Sequence, residues 1–331
     1  MKKIALVTGG YTGESVISYK SAAVIFQSLD KDQFDVYKID ISPEKWFYTD
    51  IAGKEYLVDK NDFTLTIKNE KIQFDVAFIA LHGSPGEDGK LQSIFDLCGI
   101  PYTSCNALTS AITMNKHITK KVVDDIGELK LSKSVRLFRN KKPEISQIMN
   151  QLSFPMFVKP NSGGSSIGMS KVKVEQELFP AIQKAFLEDE EILIEEFISG
   201  REFTVGIYRT NGIIKVLPIT EIISSKEFFD FEAKYTPGVS KEITPADLTQ
   251  EITSKVVKIA TEVYEVLNCA GMVRVDFILK QPSDQFYFIE INTIPGQSEN
   301  SIIPQQVRAS GKTMKDFYAE IIWEALNYST K

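Results

Sequence analysis

Three side chains with oxygen donors lie near one another in the C-terminal part of the sequence. Asp276 falls in a stretch where apolar and polar residues alternate, and Glu290 and Asn292 fall in the next such stretch. This period of two predicts two strands, with Glu290 and Asn292 on one face of the second strand and Tyr287, Ile289 and Ile291 on the other. If the strands pair as a hairpin, two carboxylates and an amide converge, and that ligand set suits Mg2+. The alternative is a hairpin whose acids only face solvent.

A lysine and the loop after it form a second pattern, which suits phosphate. Lys159 stands in an apolar run that Pro160 ends, and residues 161–170 contain three glycines and four serines. An unpaired buried ammonium is costly, so Lys159 is expected to face an anion or a cavity. The N–H groups and hydroxyls of such a loop can cradle phosphate oxygens. The alternative is a flexible linker.

Two interpretations are open for four further residues. Glu195 and Glu202, at strand ends, could hydrogen-bond the ribose or the adenine edge of a nucleotide, or could be plain exposed acids. Glu14 could pair with a helix dipole or anchor the ammonium group of a substrate. His82, which precedes a glycine-rich loop, could hold that loop by hydrogen bonds or contact a ligand.

The composition narrows the class of protein. The chain has 331 residues, 43% of them hydrophobic and 25% charged, which is typical of a globular protein with two or three domains. Its net charge of -6 argues against nucleic acid and anionic membranes as partners. Cys98, Cys105 and Cys269 form no CxxC pair, and two histidines are too few for a three-histidine zinc site. With no signal peptide and no apolar run of about 18 residues, we expect a cytoplasmic protein with reduced thiols.

The elements around these residues are predicted from hydrophobic spacing. A strand at Lys3–Thr8, a helix at Ser18–Leu29 and a strand at Phe34–Ile39 form a β-α-β opening, which is typical of a parallel sheet. The glycines after the first strand match neither GxGxxG nor the P-loop pattern. One helix is predicted over Ala107–Asp124, and an amphipathic helix over Thr249–Leu267 leads into the hairpin.

The order of these parts resembles the ATP-grasp superfamily, and the whole chain is similar to the D-alanine–D-alanine ligase family. The segments that carry the resemblance span residues 9 to 301 in the family's order. They are GGYTGES, LHGSPGEDG, MNK, FVKPNSGGSSIGMSKV, EEFISGREFTV, FEAKY, VRVDF and EINTIPGQSENS.

The resemblance implies an α/β (α+β) three-domain ATP-grasp fold. Residues 1–106 would form an N-terminal parallel-sheet domain that binds substrate, the pre-ATP-grasp domain. Residues 107–190 would form the small central subdomain with the glycine-serine loop. Residues 191–331 would form the C-terminal subdomain with the Mg2+ site, and ATP would lie between the last two.

The resemblance also implies roles for individual residues. ATP would be held through adenine, ribose and phosphates by Lys116, Lys159, Ser166, Glu195, Phe197 and Glu202. Two Mg2+ ions, with Mn2+ as a substitute, would be held by Asp276, Glu290 and Asn292. The substrates would be bound by Glu14, His82, Ser301 and Ile302.

The remaining implied roles are catalytic. Arg274 and the Gly296 N–H would stabilise an oxyanion, and Lys234 would assist phosphoryl transfer. Glu14, Ser165 and Tyr235 would form a hydrogen-bond network that closes the loop over the substrates.

The activity implied by the resemblance is ATP-dependent ligation of two D-alanines through an acyl phosphate, for peptidoglycan precursors, by a cytoplasmic homodimer. Tyr235 in FEAKY favours D-alanine as second substrate over D-lactate or D-serine. Gln297-Ser298 stands where the family usually has Met-Thr and could alter the affinity for the second substrate. Val16, where the family commonly has an acid, and Ser93, where it commonly has glycine, look like structural departures. Alternatives are D-alanine–D-lactate or D-alanine–D-serine ligation, another ATP-grasp carboxylate–amine ligase, or a nucleotide-binding regulatory module without turnover.

Overall fold

A computed structural model describes residues 1–164, 166–224 and 240–328 of the chain. Within these ranges the strands form three sheets, with helices packed on them. No helix in these ranges combines the length and the apolar character that crossing a membrane requires.

The elements are numbered in chain order. The strands are β1 (Lys2–Gly9), β2 (Phe34–Ile41), β3 (Trp46–Thr49), β4 (Glu55–Asp59), β5 (Thr64–Ile67), β6 (Glu70–Ile72), β7 (Val76–Ile79), β8 (Leu129–Leu131), β9 (Ser134–Phe138), β10 (Met156–Pro160), β11 (Ser170–Val172), β12 (Glu191–Glu196), β13 (Arg201–Thr210), β14 (Ile213–Val216), β15 (Thr220–Ser224), β16 (Ser240–Ile243), β17 (Met272–Lys280) and β18 (Gln285–Asn292). The helices are α1 (Ser15–Ser28), α2 (Lys90–Cys98), α3 (Ala107–Met114), α4 (Lys116–Val123), α5 (Ile145–Gln151), α6 (Glu175–Glu188), α7 (Gln250–Val266), α8 (Ile302–Ala309) and α9 (Met314–Tyr328).

The first sheet has the order β6-β5-β4-β3-β2-β1-β7. β1 pairs with β2 and with β7 in parallel, as the β-α-β opening predicts. Strands β3 to β6 extend the sheet by antiparallel pairing, an extension that the sequence analysis did not predict. The N-terminal sheet is therefore mixed, with its parallel part next to α1.

The second and third sheets divide the remaining strands. The second has the order β11-β10-β12-β9 and is antiparallel throughout. The third has the order β16-β15-β13-β17-β18-β8, with β14 paired to β13. The predicted boundary at residue 190 falls just before β12, which belongs to the second sheet, so a division by sheets would place it after Glu196. The three-domain division itself stays a prediction.

The predicted helix at Ala107–Asp124 is two helices, α3 and α4. Asn115 ends the first and caps the second, because its Oδ1 accepts a hydrogen bond from the Ile118 N–H at 2.9 Å. Asparagine is among the preferred N-cap residues because its short side chain can bond the backbone of the first helical turn. The prediction of one helix was wrong at this residue, and the break makes Lys116 the first residue of α4.

Two helices, α7 and α9, pack against the sheets through buried side chains. α7 covers one face of the third sheet, where Val256 and Val263 share a core with Val275 and Phe277. α9 packs between the first and third sheets: the Tyr318 ring centre lies 5.5 Å from that of Phe78, and the Phe317 ring centre lies 5.0 Å from that of Tyr208. Each fully buried aromatic side chain of this kind contributes on the order of 2 kcal/mol to folding.

Candidate active site

A cavity of about 770 Å³ opens where segments of the three sheets meet. Every predicted site residue that the structure describes lines it. These are Glu14, His82, Lys116, Lys159, Ser166, Glu195, Phe197, Glu202, Arg274, Asp276, Glu290, Asn292, Gly296, Ser301 and Ile302. Ser165, Lys234 and Tyr235 lie outside the described residues.

The β17–β18 hairpin brings its two acids face to face. Asp276 is the direct partner of Glu290, and the register then shifts so that Phe277 pairs with Phe288 and Ile289 is left between the pairs. This bulge turns Glu290 and Asn292 into the cavity while Ile291 packs in the core. The prediction that Ile289 and Ile291 share one face was therefore wrong, because a strict period of two cannot include an extra residue.

Asp276 is held in one orientation by its neighbours. Nε and Nη2 of Arg274 donate to its two carboxylate oxygens at 3.0 and 2.9 Å, and Thr204 Oγ1 donates to Oδ1 at 2.5 Å. Burial disfavours the charged guanidinium, but the Asp276 carboxylate more than offsets this and raises the pKa of Arg274 above its ordinary value. A fork-to-fork pair of this kind fixes geometry as well as charge.

The donors on this hairpin fit a hard divalent cation. In the described parts of the chain no three His, Cys, Asp or Glu side chains come together as a metal site. A cation here would therefore need the Asn292 amide beside the Asp276 and Glu290 carboxylates, which together are an all-oxygen set. Asn292 Oδ1 also accepts from the Ile294 N–H at 3.0 Å, which fixes the side chain at the strand end.

Lys116 stands opposite the hairpin. Its Nζ donates to the Gly163 carbonyl at 2.5 Å and lies 3.4 Å from Glu290 Oε2. A cation at a helix N-terminus is opposed by the helix dipole, so these oxygens offset an unfavourable position. Asn161 binds the same turn, because its Oδ1 accepts from the His117 N–H at 2.9 Å. The Lys116 side chain is only 13% exposed, so it is not a solvated surface charge.

The glycine-serine loop meets Glu14 across the cavity. A methyl group added at Gly164 would lie 2.7 Å from Oε1 of Glu14, and one at Gly83 would lie 2.9 Å from Oε2. Glu14 occupies the N-cap position of α1 but makes no capping hydrogen bond with its side chain. The Glu14 carboxylate thus lies beside both glycine-containing loops, and its role as a substrate anchor or as a partner of the helix dipole stays a prediction.

Glu195 lies between two lysines on the cavity wall. Its Oε2 lies 2.7 Å from Lys159 Nζ, and its Oε1 lies 2.9 Å from Lys120 Nζ. Burial alone would raise the pKa of Glu195, but the ammonium groups of Lys159 and Lys120 outweigh that effect and lower the pKa to about 2. Phe197, just beyond the strand, packs its ring 5.7 Å from that of Phe157.

The segment after β18 carries the other predicted substrate contacts. Ser301 is the N-cap residue of α8, its Oγ lies 2.7 Å from Ser298 Oγ, and a methyl group at Gly296 would lie 2.9 Å from Ser301 Oγ. Gln297 is 1% exposed and turns inward, where its Oε1 accepts from Tyr318 OH at 3.1 Å. Of the two unusual residues, Ser298 therefore lines the cavity and Gln297 does not.

His82 lies at the cavity and contacts α1, and its two predicted roles, holding the glycine-rich loop and binding substrate, stay predictions. It lines the cavity, and its Nε2 lies 3.0 Å from Ser21 Oγ, which also accepts from the Gln297 N–H at 3.0 Å. Burial, reinforced by Arg274, lowers the pKa of His82 to about 4, so the ring is neutral at pH 7. The histidine thus joins α1 to the loop after β18.

Two titratable groups in and beside the cavity were not predicted from the sequence. Lys120 follows Lys116 by one helical turn, which was the available signal, and Glu87 stands in the glycine-rich loop after His82. Glu87 Oε2 accepts from the Gly83 N–H at 2.6 Å. Burial and the nearby Glu14 raise the pKa of Glu87 to about 8, so it is largely protonated at pH 7.

Comparisons with known proteins agree with this geometry. Residues 3–105 match the family model "D-ala D-ala ligase N-terminus" and residues 127–323 match "D-ala D-ala ligase C-terminus". A D-alanine–D-alanine ligase of Flavobacterium johnsoniae is 45% identical over 97% of this chain and 98% of its own length.

Solved structures show the same similarity. The VanG D-Ala:D-Ser ligase of Enterococcus faecalis has a TM-score of 0.88 and 33% identity, over 98% of this chain and 99% of that one. The D-alanine–D-alanine ligase of Bacillus anthracis complexed with ATP has a TM-score of 0.79 and 28% identity, over 100% of this chain and 99% of that one. These neighbours confirm the predicted α/β ATP-grasp fold. The two family models cover most of the chain and the relatives align over nearly all of it, so the chain belongs to the D-alanine–D-alanine ligase family.

Proposed function

We propose that this chain joins two D-alanine molecules into D-alanyl-D-alanine, with conversion of ATP to ADP and phosphate, for peptidoglycan precursors. The observation that carries the proposal is one cavity with two kinds of group. Lys116 and Lys159 offer cations for phosphates, and the Asp276–Glu290 hairpin lies beside them. Arg274 and Gly296 lie on the same wall, where a carbonyl could react.

The phosphate end combines charge with backbone donors. Lys116 and Lys159 would bind ATP phosphates, and Ser166 and its neighbours in the glycine-serine loop would supply hydroxyl and N–H donors. Glu195, Phe197 and Glu202 would hold the adenine and ribose. Mg2+ bound by Asp276, Glu290 and Asn292 would neutralise phosphate charge. We propose two such ions, with Mn2+ as a substitute.

The first step activates a carboxylate. An oxygen of the first D-alanine attacks the γ-phosphorus, the bond to the β-phosphate oxygen breaks, and an acyl phosphate and ADP result. Glu14 would pair with the ammonium group of this substrate, near His82, and the loop would exclude water from the acyl phosphate. Lys234 would assist the phosphoryl transfer. Ser165 and Tyr235 would join Glu14 in the hydrogen-bond network that closes the glycine-serine loop.

The second step forms the peptide bond. The free amine of the second D-alanine attacks the acyl carbonyl, a tetrahedral oxyanion forms, and it collapses with release of phosphate while the nitrogen loses a proton. Nη1 of Arg274 takes no part in the pair with Asp276, and we assign it, with the Gly296 N–H, to this oxyanion. Ser301 and Ile302, at the start of α8, would receive the carboxylate of the second substrate.

We place the enzyme in the cytoplasm, with small-molecule substrates and neither nucleic acid nor membrane as partners. We also propose a homodimer, whose mass can be measured by light scattering.

The test is product analysis with the purified chain. ATP and Mg2+ are supplied with D-alanine alone, or with D-alanine plus D-lactate or D-serine, and ADP release and the ligated product are both measured. We expect D-alanyl-D-alanine in amounts equal to the ADP formed. A depsipeptide or D-alanyl-D-serine as main product would reassign the second substrate, and ATP binding without ADP release would mean a regulatory module.

A further inference from the structure

Three charged side chains at and behind the cavity wall form a cluster that the proposed mechanism uses only in part; Glu195 and Lys120 are buried and Lys159 is half-buried. Glu195 on β12 lies between Lys159 on β10 and Lys120 on α4. Lys159 and Glu195 have roles in the proposal above, whereas Lys120 has none. The cluster holds two positive charges for one negative charge, which exceeds what a simple ion pair needs.

The two lysines differ in how firmly they are held. Lys120 is 6% exposed, and its Nζ donates to the Ser132 carbonyl at 2.7 Å, to Ser132 Oγ at 2.8 Å and to Glu195 Oε1 at 2.9 Å. An ammonium group has three N–H donors, so these acceptors use all of them. Lys159 lines the cavity and pairs with Glu195 Oε2, and among the described residues that line the cavity Lys120 does not appear.

This difference matters when a nucleotide binds. If Lys159 turns from Glu195 to a phosphate, Glu195 loses one of its two counter-ions. A buried carboxylate without a counter-ion takes up a proton or moves, because burial penalises its charged form. Lys120 cannot follow the phosphate, since its three donors are used, so it stays beside Glu195 throughout.

We propose that Lys120 is a positioning residue that keeps the Glu195 carboxylate ionised and oriented as an acceptor for the adenine amino group while Lys159 serves the phosphates. This inference builds on the proposed function, in which ATP is the nucleotide. Glu195 then favours a purine with an amino group at position 6 over one with a carbonyl oxygen there. Lys120 contributes to nucleotide choice without contacting the nucleotide.

The experiment compares ATP with inosine triphosphate, which carries a carbonyl oxygen in place of the amino group. Non-hydrolysable analogues of both are titrated into the full chain with Mg2+ by calorimetry. For Lys120→Met we expect ATP-analogue affinity to fall about tenfold and the preference over the inosine analogue to fall at least about fivefold. In a Glu195→Gln background the same change should have little further effect, because the carboxylate charge that Lys120 stabilises is gone.

The matched control is Lys121→Met, which removes an exposed lysine from the same helix turn and should change neither affinity. Ser132→Ala removes only one of the three acceptors and serves if Lys120→Met does not fold; it should lower the preference about twofold to threefold. An equal loss for both analogues, or an unchanged preference in both variants, would overturn the proposal. Because binding is measured without turnover, failure of the ligation assay would not affect this result.

Discussion

At the scale of single residues, the contact between Glu14 and the glycine-serine loop leaves no room for a side chain. For Gly164→Ala we expect the KM for the first D-alanine to rise about tenfold, because the new methyl group would lie 2.7 Å from Glu14 Oε1 and displace the carboxylate. Nucleotide affinity should stay within about twofold of wild type. Steady-state kinetics with each substrate varied in turn measures both.

The neighbouring glycine is the control for this prediction. Among the described residues, a methyl group at Gly163 would meet only the Pro160 side chain, with Cβ at 3.3 Å and Cγ at 3.9 Å, and would not come within 4 Å of Glu14. Gly163→Ala should therefore leave the D-alanine KM nearly unchanged. Equal effects of both substitutions would mean that loop mobility, and not the Glu14 contact, sets substrate affinity.

The raised pKa of Glu87 predicts a pH-dependent stability. Its ordinary pKa of 4.5 rises to about 8 in the fold, because of burial and the nearby Glu14. Between these values the folded chain keeps a proton that the unfolded chain has lost, so stability falls as pH rises, by up to about 1.4 kcal/mol per pH unit. Denaturant unfolding of wild type between pH 5 and 8 measures this slope.

Glu87→Gln isolates that effect, since an amide oxygen can still accept from the Gly83 N–H but cannot titrate. The difference in unfolding free energy, wild type minus variant, should decrease steadily as pH rises. A difference that is flat across this window would show that Glu87 titrates normally.

At the scale of elements, the break between α3 and α4 sets the position of Lys116. For Asn115→Ala we expect a loss of about 1 kcal/mol in unfolding free energy, because the cap on the Ile118 N–H is removed. The ATP KM should also rise several-fold, since Lys116 begins the helix that loses its cap and reaches Gly163 and Glu290 from there. Urea unfolding and kinetics at varied ATP check the two parts.

Asn106→Ala is the matched control, because Asn106 caps α3 by accepting from the Thr109 N–H at 2.8 Å. It should cost similar stability without changing the ATP KM. If both variants weaken ATP use alike, the cap acts through overall stability only.

The sequence predicts regular elements well and misses their interruptions. The alternation of Val273, Val275 and Phe277 with Arg274 and Asp276 correctly predicts which face of β17 is buried. The bulge at Ile289 and the break at Asn115 are absent from any pattern of apolar spacing. The bulge depends on pairing with β17, whereas the break had a local polar signal, because asparagine is a preferred N-cap residue.

At the scale of the whole molecule, α9 connects the core to the second-substrate side of the cavity. For Tyr318→Phe we expect a loss of about 1–3 kcal/mol, because Gln297 Oε1 keeps no donor in a buried site. The KM for the second D-alanine should rise, because Gln297 lies between Gly296 and Ser298, which line the cavity.

Tyr264→Phe provides the comparison. This buried tyrosine belongs to α7, which packs on the face of the third sheet opposite the cavity. Its hydroxyl donates to the Gly271 carbonyl at 2.9 Å. It should lose somewhat less stability, because the Gly271 carbonyl still accepts from the Arg209 N–H at 3.2 Å, and the second-substrate KM should change little. A rise in KM for both variants would show that the effect comes from general loosening.

The sequence predicts those site residues that lie in distinctive motifs. Acids and lysines in distinctive segments, such as Lys159 and Asp276, lie in the cavity as expected. Lys120 and Glu87 were missed because their partners, Glu195 and Glu14, are 75 and 73 positions away in the chain. Pairs that distant are made by tertiary packing, which no local spacing records.

The inward turn of Gln297 bears on how specificity could change in evolution. Gln297 is buried and bonded to Tyr318, so a change at this position would alter the rigidity of the segment before it altered the choice of ligand. Selection for a different nucleophile would act first on the neighbouring Ser298, whose hydroxyl meets Ser301 at the cavity surface. An altered acceptor preference could then arise from one exchange at a site that carries little of the structure.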